Sequence, residues 1–211
     1  MTKHRKAQIL RRFVEFLCLP VLCCSSLSGQ GPGVDLEVHY TTDYGQIASA
    51  CVNCKWMNGG GVGVQLLFSR HLAAAFDVTV TQAGNIKPLY SLTPGVSYDL
   101  QRTTYLTGLS YFPTRPSSRL RPSANVLMGG AYATGALSPA NTSGASAGAF
   151  ALQTGAGLSI QLTDRLAITP VRVDYLLTTF DNPNQGTQGA VRWSAGATFR
   201  LRRRQTNVPG E

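Results

Sequence analysis

The sequence predicts an all-β chain: an eight-stranded antiparallel up-and-down barrel that crosses a membrane. Three observations predict it. After residue 30, apolar and polar residues alternate along eight segments, and apolar residues nowhere recur at helical spacing. The connections between those segments run alternately short and long. The polar face of the segments is made mostly of Gly, Ser, Thr, Gln and Asn, too poor in charge to be a surface in water.

The segments follow in order. "VDLEVHY" (34–40) sets Val34, Leu36, Val38 and Tyr40 against Asp35, Glu37 and His39. "VGVQLLF" (62–68) offers Val62, Val64, Leu66 and Phe68. "LAAAFDVTV" (72–80) offers Leu72, Phe76, Val78 and Val80 against Asp77 and Thr79. Segment 98–112 sets Tyr105, Leu109 and Tyr111 against Arg102, Thr104, Gly108 and Ser110. In 120–132, Ala124, Val126 and Met128 oppose Arg121, Ser123, Asn125 and Gly129. In 150–162, Phe150, Leu152, Leu158 and Ile160 oppose Gln153, Gly155, Gly157, Ser159 and Gln161. "RLAITPVRVDYLLTTF" (165–180) puts Val171, Val173 and Tyr175 on one face, Arg172 and Asp174 on the other. The last, 191–201, sets Val191, Trp193, Ala195, Ala197 and Phe199 against Arg192, Ser194, Gly196, Thr198 and Arg200.

Short connections fall at 69–71, 113–119 and 163–165; long ones, rich in Gly, Ser, Asn and Pro, at 41–61, 81–97, 133–149 and 179–190. About ten residues per segment is what a tilted strand needs to cross a bilayer, and closure removes the unpaired edges that lipid would not tolerate. A soluble barrel would turn the apolar face inward. Composition decides against that. Only 14% of the chain is charged, against roughly 25% in soluble proteins. Past residue 28 the only lysines are Lys55 and Lys87, both outside the segments. Aromatic residues fall towards segment ends, as membrane-interface girdles do: Tyr40, Tyr132, Phe150, Tyr175 and Trp193 on the long-loop side, Phe68, Tyr111 and Phe199 on the other.

The mid-segment charges therefore point into the lumen. Glu37, Asp77, Arg102, Arg172, Asp174, Arg192 and Arg200 are the expected partners of a charge network that fills and stiffens a narrow interior. The many glycines on the same face (Gly63, Gly108, Gly129, Gly155, Gly157, Gly196) argue the other way, since they would leave space for water.

At 211 residues the chain suits one domain, with three parts: a signal peptide over 1–28, a barrel over 29–201 and a basic tail over 202–211. "MTKHRKAQILRR" is a basic leader, "FVEFLCLPVLCC" an apolar stretch and "SSLSGQ" a small-residue exit. The net charge of +9 belongs largely to the two termini and is otherwise scattered singly, which excludes a nucleic-acid footprint. Cys51 and Cys54 are the cysteines left after cleavage, and in an exported protein they read as a local loop disulfide. A zinc site would need about two further ligands, so no metal is expected.

The segments "MNGGG" (57–61), "ANVLMGGAYATG" (124–135), "GAGLSIQLTDRLAITPVRVDYLLTTF" (155–180) and "RWSAGATFRL" (192–201) resemble those of small, porin-like, OmpA-type eight-stranded outer-membrane barrels. The resemblance spans roughly 34–201 and implies a bacterial outer-membrane location, contact with outer-membrane lipid, a monomeric barrel, and assembly machinery that reads the last strand. In that family an aromatic residue ends the chain; here Phe199 is followed by Leu201 and "RRRQTNVPGE".

Catalysis is not expected. Past residue 28 the histidines are His39, on a polar face at a segment end, and His71, in a short turn; neither sits two residues from a serine on a strand. "GGGVG" (59–63) lacks the Lys-Ser/Thr partner of a phosphate loop. No cofactor is expected. The reading is a structural or loop-presenting barrel without a wide pore. The alternatives are a narrow porin-like channel for small solutes and, behind it, a lipid-modifying enzyme.

Overall fold

The computed structural model describes residues 33–45, 56–86, 97–114, 118–138, 146–180 and 187–202. The signal-peptide and tail readings, and the Cys51–Cys54 pair, fall outside these residues. The described chain forms eight strands: β1 Gly33–Gly45, β2 Met57–Leu67, β3 Leu72–Ile86, β4 Ser97–Tyr111, β5 Leu120–Ser138, β6 Ser146–Gln161, β7 Leu166–Thr178 and β8 Gln188–Arg202. Each pairs antiparallel with its sequence neighbours, and β8 returns to β1 to close the barrel. The closing ladder sets Leu36 opposite Phe199, Tyr40 opposite Ala195 and Asp43 opposite Arg192.

Alternation fixes the register, because a slip by one residue would exchange the two faces of a strand. In β1, Asp35, Glu37, His39, Thr41 and Asp43 are all buried inside, while Val38, Tyr40 and Tyr44 are exposed outside. Large apolar side chains cover the exterior of the other strands too: Val62, Tyr105, Leu109, Val126, Met128, Val173 and Phe199 are each about half exposed. Among the described residues between the two aromatic rims, no charged side chain points outward. This is a polar interior inside an apolar wall, the reverse of a soluble barrel.

Local chemistry makes the short turns. Ser69 Oγ accepts from the backbone N–H of His71 and Leu72 at 3.2 and 2.8 Å. Thr163 Oγ1 does the same for Arg165 and Leu166 at 3.3 and 3.1 Å. These hydroxyls stand in for backbone acceptors and reverse the chain within a few residues. Pro170 has no N–H to give to a ladder, and the β7–β8 register shifts between Thr169 and Arg172. The shift turns Pro170 and Val171 both outward and returns Arg172 to the lumen. Proline in a sheet is confined to such irregularities.

Two expectations change. The ladders run on into what the alternation marks as long loops: β1 reaches Gly45, β2 starts at Met57, and β4 and β5 pair out to Ser97 and Ser138. Beyond the bilayer the outer face need not be apolar, so the hydrophobic pattern stops before the hydrogen bonds do. The inward face is also less polar than its sequence neighbours suggest. Leu106, Leu127, Leu176 and Phe180 form an apolar cluster inside the barrel with Ala75, Ala131 and Ala151. An eight-stranded interior is narrow enough to be packed like a core, and side-chain volume matters there as much as polarity.

Candidate functional site

The lumen holds five carboxylates (Asp35, Glu37, Asp43, Asp77, Asp174) and five guanidiniums (Arg102, Arg121, Arg172, Arg192, Arg200), arranged in three tiers along the axis. Their strands bring them together from both halves of the chain.

The tier nearest the long loops centres on Asp43. Its Oδ1 accepts from Arg192 Nε at 2.7 Å, and its Oδ2 accepts from Arg192 Nη2 at 3.0 Å and from Arg102 Nη2 at 2.5 Å. Arg192 Nη1 continues to Gln153 Oε1 at 3.1 Å and Thr104 Oγ1 at 3.5 Å. Arg192 is wholly buried. One side chain thus links β8 to β1, β4 and β6.

The middle tier centres on Arg172. Its Nη1 donates to Glu37 at 2.9 Å and its Nε to Asp174 at 3.0 Å, while Nη2 lies 3.7 Å from Asp77. Asn125 donates to the other oxygen of Asp174 at 3.0 Å. Gln65 donates to Glu37, and Thr79 to Asp77. His39 is enclosed here, 3.2 Å from Thr79 Oγ1 and within 4 Å of both Glu37 and Asp77. These bonds are charge-assisted and cross the lumen, joining β7 to β1, β3 and β5.

The tier at the short-turn end is sparser. Arg200 Nε lies 3.4 Å from Asp35, and the Arg121 guanidinium lies over the Phe112 ring, 4.6 Å from its centroid. A cavity of about 50 Å³ opens between this tier and the middle one.

The lumen glycines do not mark an open path. A side chain at Gly155 would meet the Asp174 carboxylate, and at Gly157 the stem of Arg172 at 3.2 Å. Gly196 backs onto His39 Cβ at 2.8 Å, and Gly61 onto Thr79 Oγ1 at 2.7 Å. These four are the beds on which polar side chains lie, whereas Gly108 and Gly129 back onto the backbone of the next strand.

Outside, the aromatic rims are filled. Tyr40, Tyr132, Phe150, Tyr175 and Trp193 are exposed on the wall towards the long loops, and Phe68, Tyr111 and Phe199 towards the short turns. Tyr44 and Trp56 extend the first rim, with ring centroids at 4.8 Å, and Trp56 lies 5.7 Å from Trp193.

No protein-family model matches the chain, and no curated protein matches it. Solved structures do. The attachment invasion locus protein Ail of Yersinia pestis is 14% identical with a TM-score of 0.54, over 81% of this chain and 99% of that one. Neisserial surface protein A is 15% identical with a TM-score of 0.53, over 82% and 100%. OprG of Pseudomonas aeruginosa is 12% identical with a TM-score of 0.53, over 82% and 98%. At such identities the likeness is one of fold, and the apolar exterior and aromatic rims supply the rest. By fold this is a small eight-stranded barrel like theirs, and its apolar wall and aromatic rims are those of a barrel that spans a bilayer.

Of the sequence-expected charges, Glu37, Asp77, Arg172 and Asp174 meet in the barrel's middle tier, Arg102 and Arg192 in the tier above, and Arg200 in the tier below. Sequence reasoning gave no role in the network to Asp35, Asp43 or Arg121, nor to the neutral partners Asn125, Gln153 and His39. Asp43 is the costliest omission, because it anchors a whole tier. It shares the parity of Glu37 and His39, and carrying the alternation past Tyr40 would have found it.

Proposed function

We propose that this protein is a structural, loop-presenting barrel of the bacterial outer membrane, with a closed lumen and no catalytic activity. The observation that carries this reading is the pair of tiers built on Asp43 and Arg172. Together they tie β1 to strands on every side of the barrel and occupy the axis at two heights. Open aqueous channels belong to barrels of about 16–18 strands.

Catalysis has no support in the geometry. His39 meets a hydroxyl, that of Thr79, but Thr79 gives its proton to Asp77 and is wholly buried. His71 is bound through Nδ1 to the Phe112 carbonyl at 2.8 Å. With the interior filled, recognition falls to the long connections, since irregular segments on a rigid scaffold are where binding usually lives. Ail, named for attachment, has a similar fold. The barrel acts as a monomer in contact with outer-membrane lipid, and assembly machinery engages it through β8, where Phe199 and Leu201 face outward.

Planar-bilayer recording of the purified full chain tests the closed lumen. Only small or no conductance is expected. Large, steady conductance would overturn the reading and favour a narrow porin-like channel. A small conductance that grows when Arg172 or Asp174 is truncated would identify the middle tier as its gate.

A further inference from the structure

The tier at the short-turn end is not neutral. Two guanidiniums, Arg121 and Arg200, face one carboxylate, Asp35, and Asp35 lies against Arg200. Arg121 is 6% exposed, and its Nε and Nη2 have no hydrogen-bond partner among the described residues. Its guanidinium lies over the Phe112 face. Asp35 acts on Arg121 as well but is shared with Arg200, and guanidinium N–H groups buried without an acceptor are costly.

Arg121 and Ser123 of β5 and Ser110 of β4 line the cavity between the lower and middle tiers, and Arg200 of β8 lines it from another side. The acids at the cavity's inner end are hydrogen-bonded, Glu37 to Arg172 and Gln65 and Asp77 to Thr79, and with Asp174 they share the one Arg172 guanidinium. Asp164 and Arg165, of opposite charge, stand at its outer end in the turn before β7. About 50 Å³ is available, where one water needs roughly 10–15 Å³. That is room for a group of about four or five heavy atoms.

We propose that this vestibule is a binding site for a small oxoanion of the phosphate class, with Arg121 as its principal ligand and Arg200 as the second. A guanidinium edge presents paired N–H donors that match two oxygens of such an anion. The anion would accept from the buried guanidinium N–H groups of Arg121 that the protein leaves without an acceptor. This site lies in the lumen at the opposite end from the long loops and is independent of what those loops bind.

The test is thermal unfolding and equilibrium dialysis of the full-length protein in detergent, with inorganic phosphate against chloride at equal ionic strength. Phosphate is expected to raise the unfolding midpoint and to bind at one per chain. R121Q should abolish the phosphate response, because it removes the guanidinium N–H groups that have no acceptor in the protein. R121K should fold and weaken binding by about tenfold, since it keeps the charge and loses the fork. R70Q, in an exposed turn, should change nothing. Equal behaviour in phosphate and chloride would overturn the proposal. So would a phosphate response that survives in both Arg121 variants.

Discussion

Replacing Asp43 by Asn should be among the most damaging single-atom exchanges in the barrel. The carboxylate takes three bonds from two guanidiniums, and both arginines are at most 3% exposed. Asn keeps one acceptor oxygen and loses the charge. Arg192 retains Gln153 and Thr104 as neutral acceptors. Arg102 retains none among the described residues, and its Nε is already without a partner. Stranding one buried cation in this way costs about 3–5 kcal/mol, whereas an exposed pair is worth only about 0–1. Urea titration of the protein in liposomes, read by tryptophan fluorescence and by the heat-dependent gel mobility of folded barrels, gives the difference directly. Adding R102Q to D43N should recover at least about 1 kcal/mol, because the stranded charge leaves with it. A loss below about 1 kcal/mol for D43N alone would refute the reasoning: the upper lumen would then be wet enough to solvate both arginines.

Other perturbations address other parts of the protein. Val173→Arg, on the outer face of β7, should destabilise by about 2–4 kcal/mol in bilayers if that face meets the midplane. Ser159→Asn, on the lumen side beside Thr169, should cost clearly less; the reverse order would invert the assignment of faces. Cys51 and Cys54, three positions apart in the first long connection, are expected to form a disulfide that the barrel does not need. Untreated folded protein should resist thiol labelling, and the Cys51→Ser/Cys54→Ser double variant should keep its folded gel mobility; ready labelling of both would sink the disulfide.

The barrel was legible in the sequence because lipid and lumen impose opposite chemistry on alternate residues, and that contrast survives in every strand. Arg172 and Asp174 could be assigned to the lumen from parity alone, since Val171, Val173 and Tyr175 mark the other face. Which charges meet could not be read that way. Asp43 and Arg102 are 59 residues apart and join non-adjacent strands, so their contact depends on stagger around the barrel, which no local pattern records. Strand ends were obscured for a different reason. Pairs such as Asp99 with Ala136 and Thr134 with Ser146 continue the ladders where apolar alternation has lapsed. The inward leucines were hidden by their own type: Leu106 and Leu127 sit at lumen positions in strands whose other inward residues are polar or small.

The pairing of glycines with large side chains inside the barrel constrains how this sequence can drift. Gly155 lies under Asp174, Gly157 under Arg172 and Gly196 under His39, each on a neighbouring strand. A larger residue at one of these glycines has no room unless its partner shrinks, and a shorter partner dissolves ion pairs that reach two or three further strands. Interior positions should therefore change in linked sets, as Gly–Arg or Gly–Asp couples, while exterior positions such as Val126 or Leu109 exchange freely among apolar residues. Among distant relatives the wall would soon lose any common wording. The interior would keep its grammar, and a search keyed to those coupled small–large positions would recognise kin that overall identity does not.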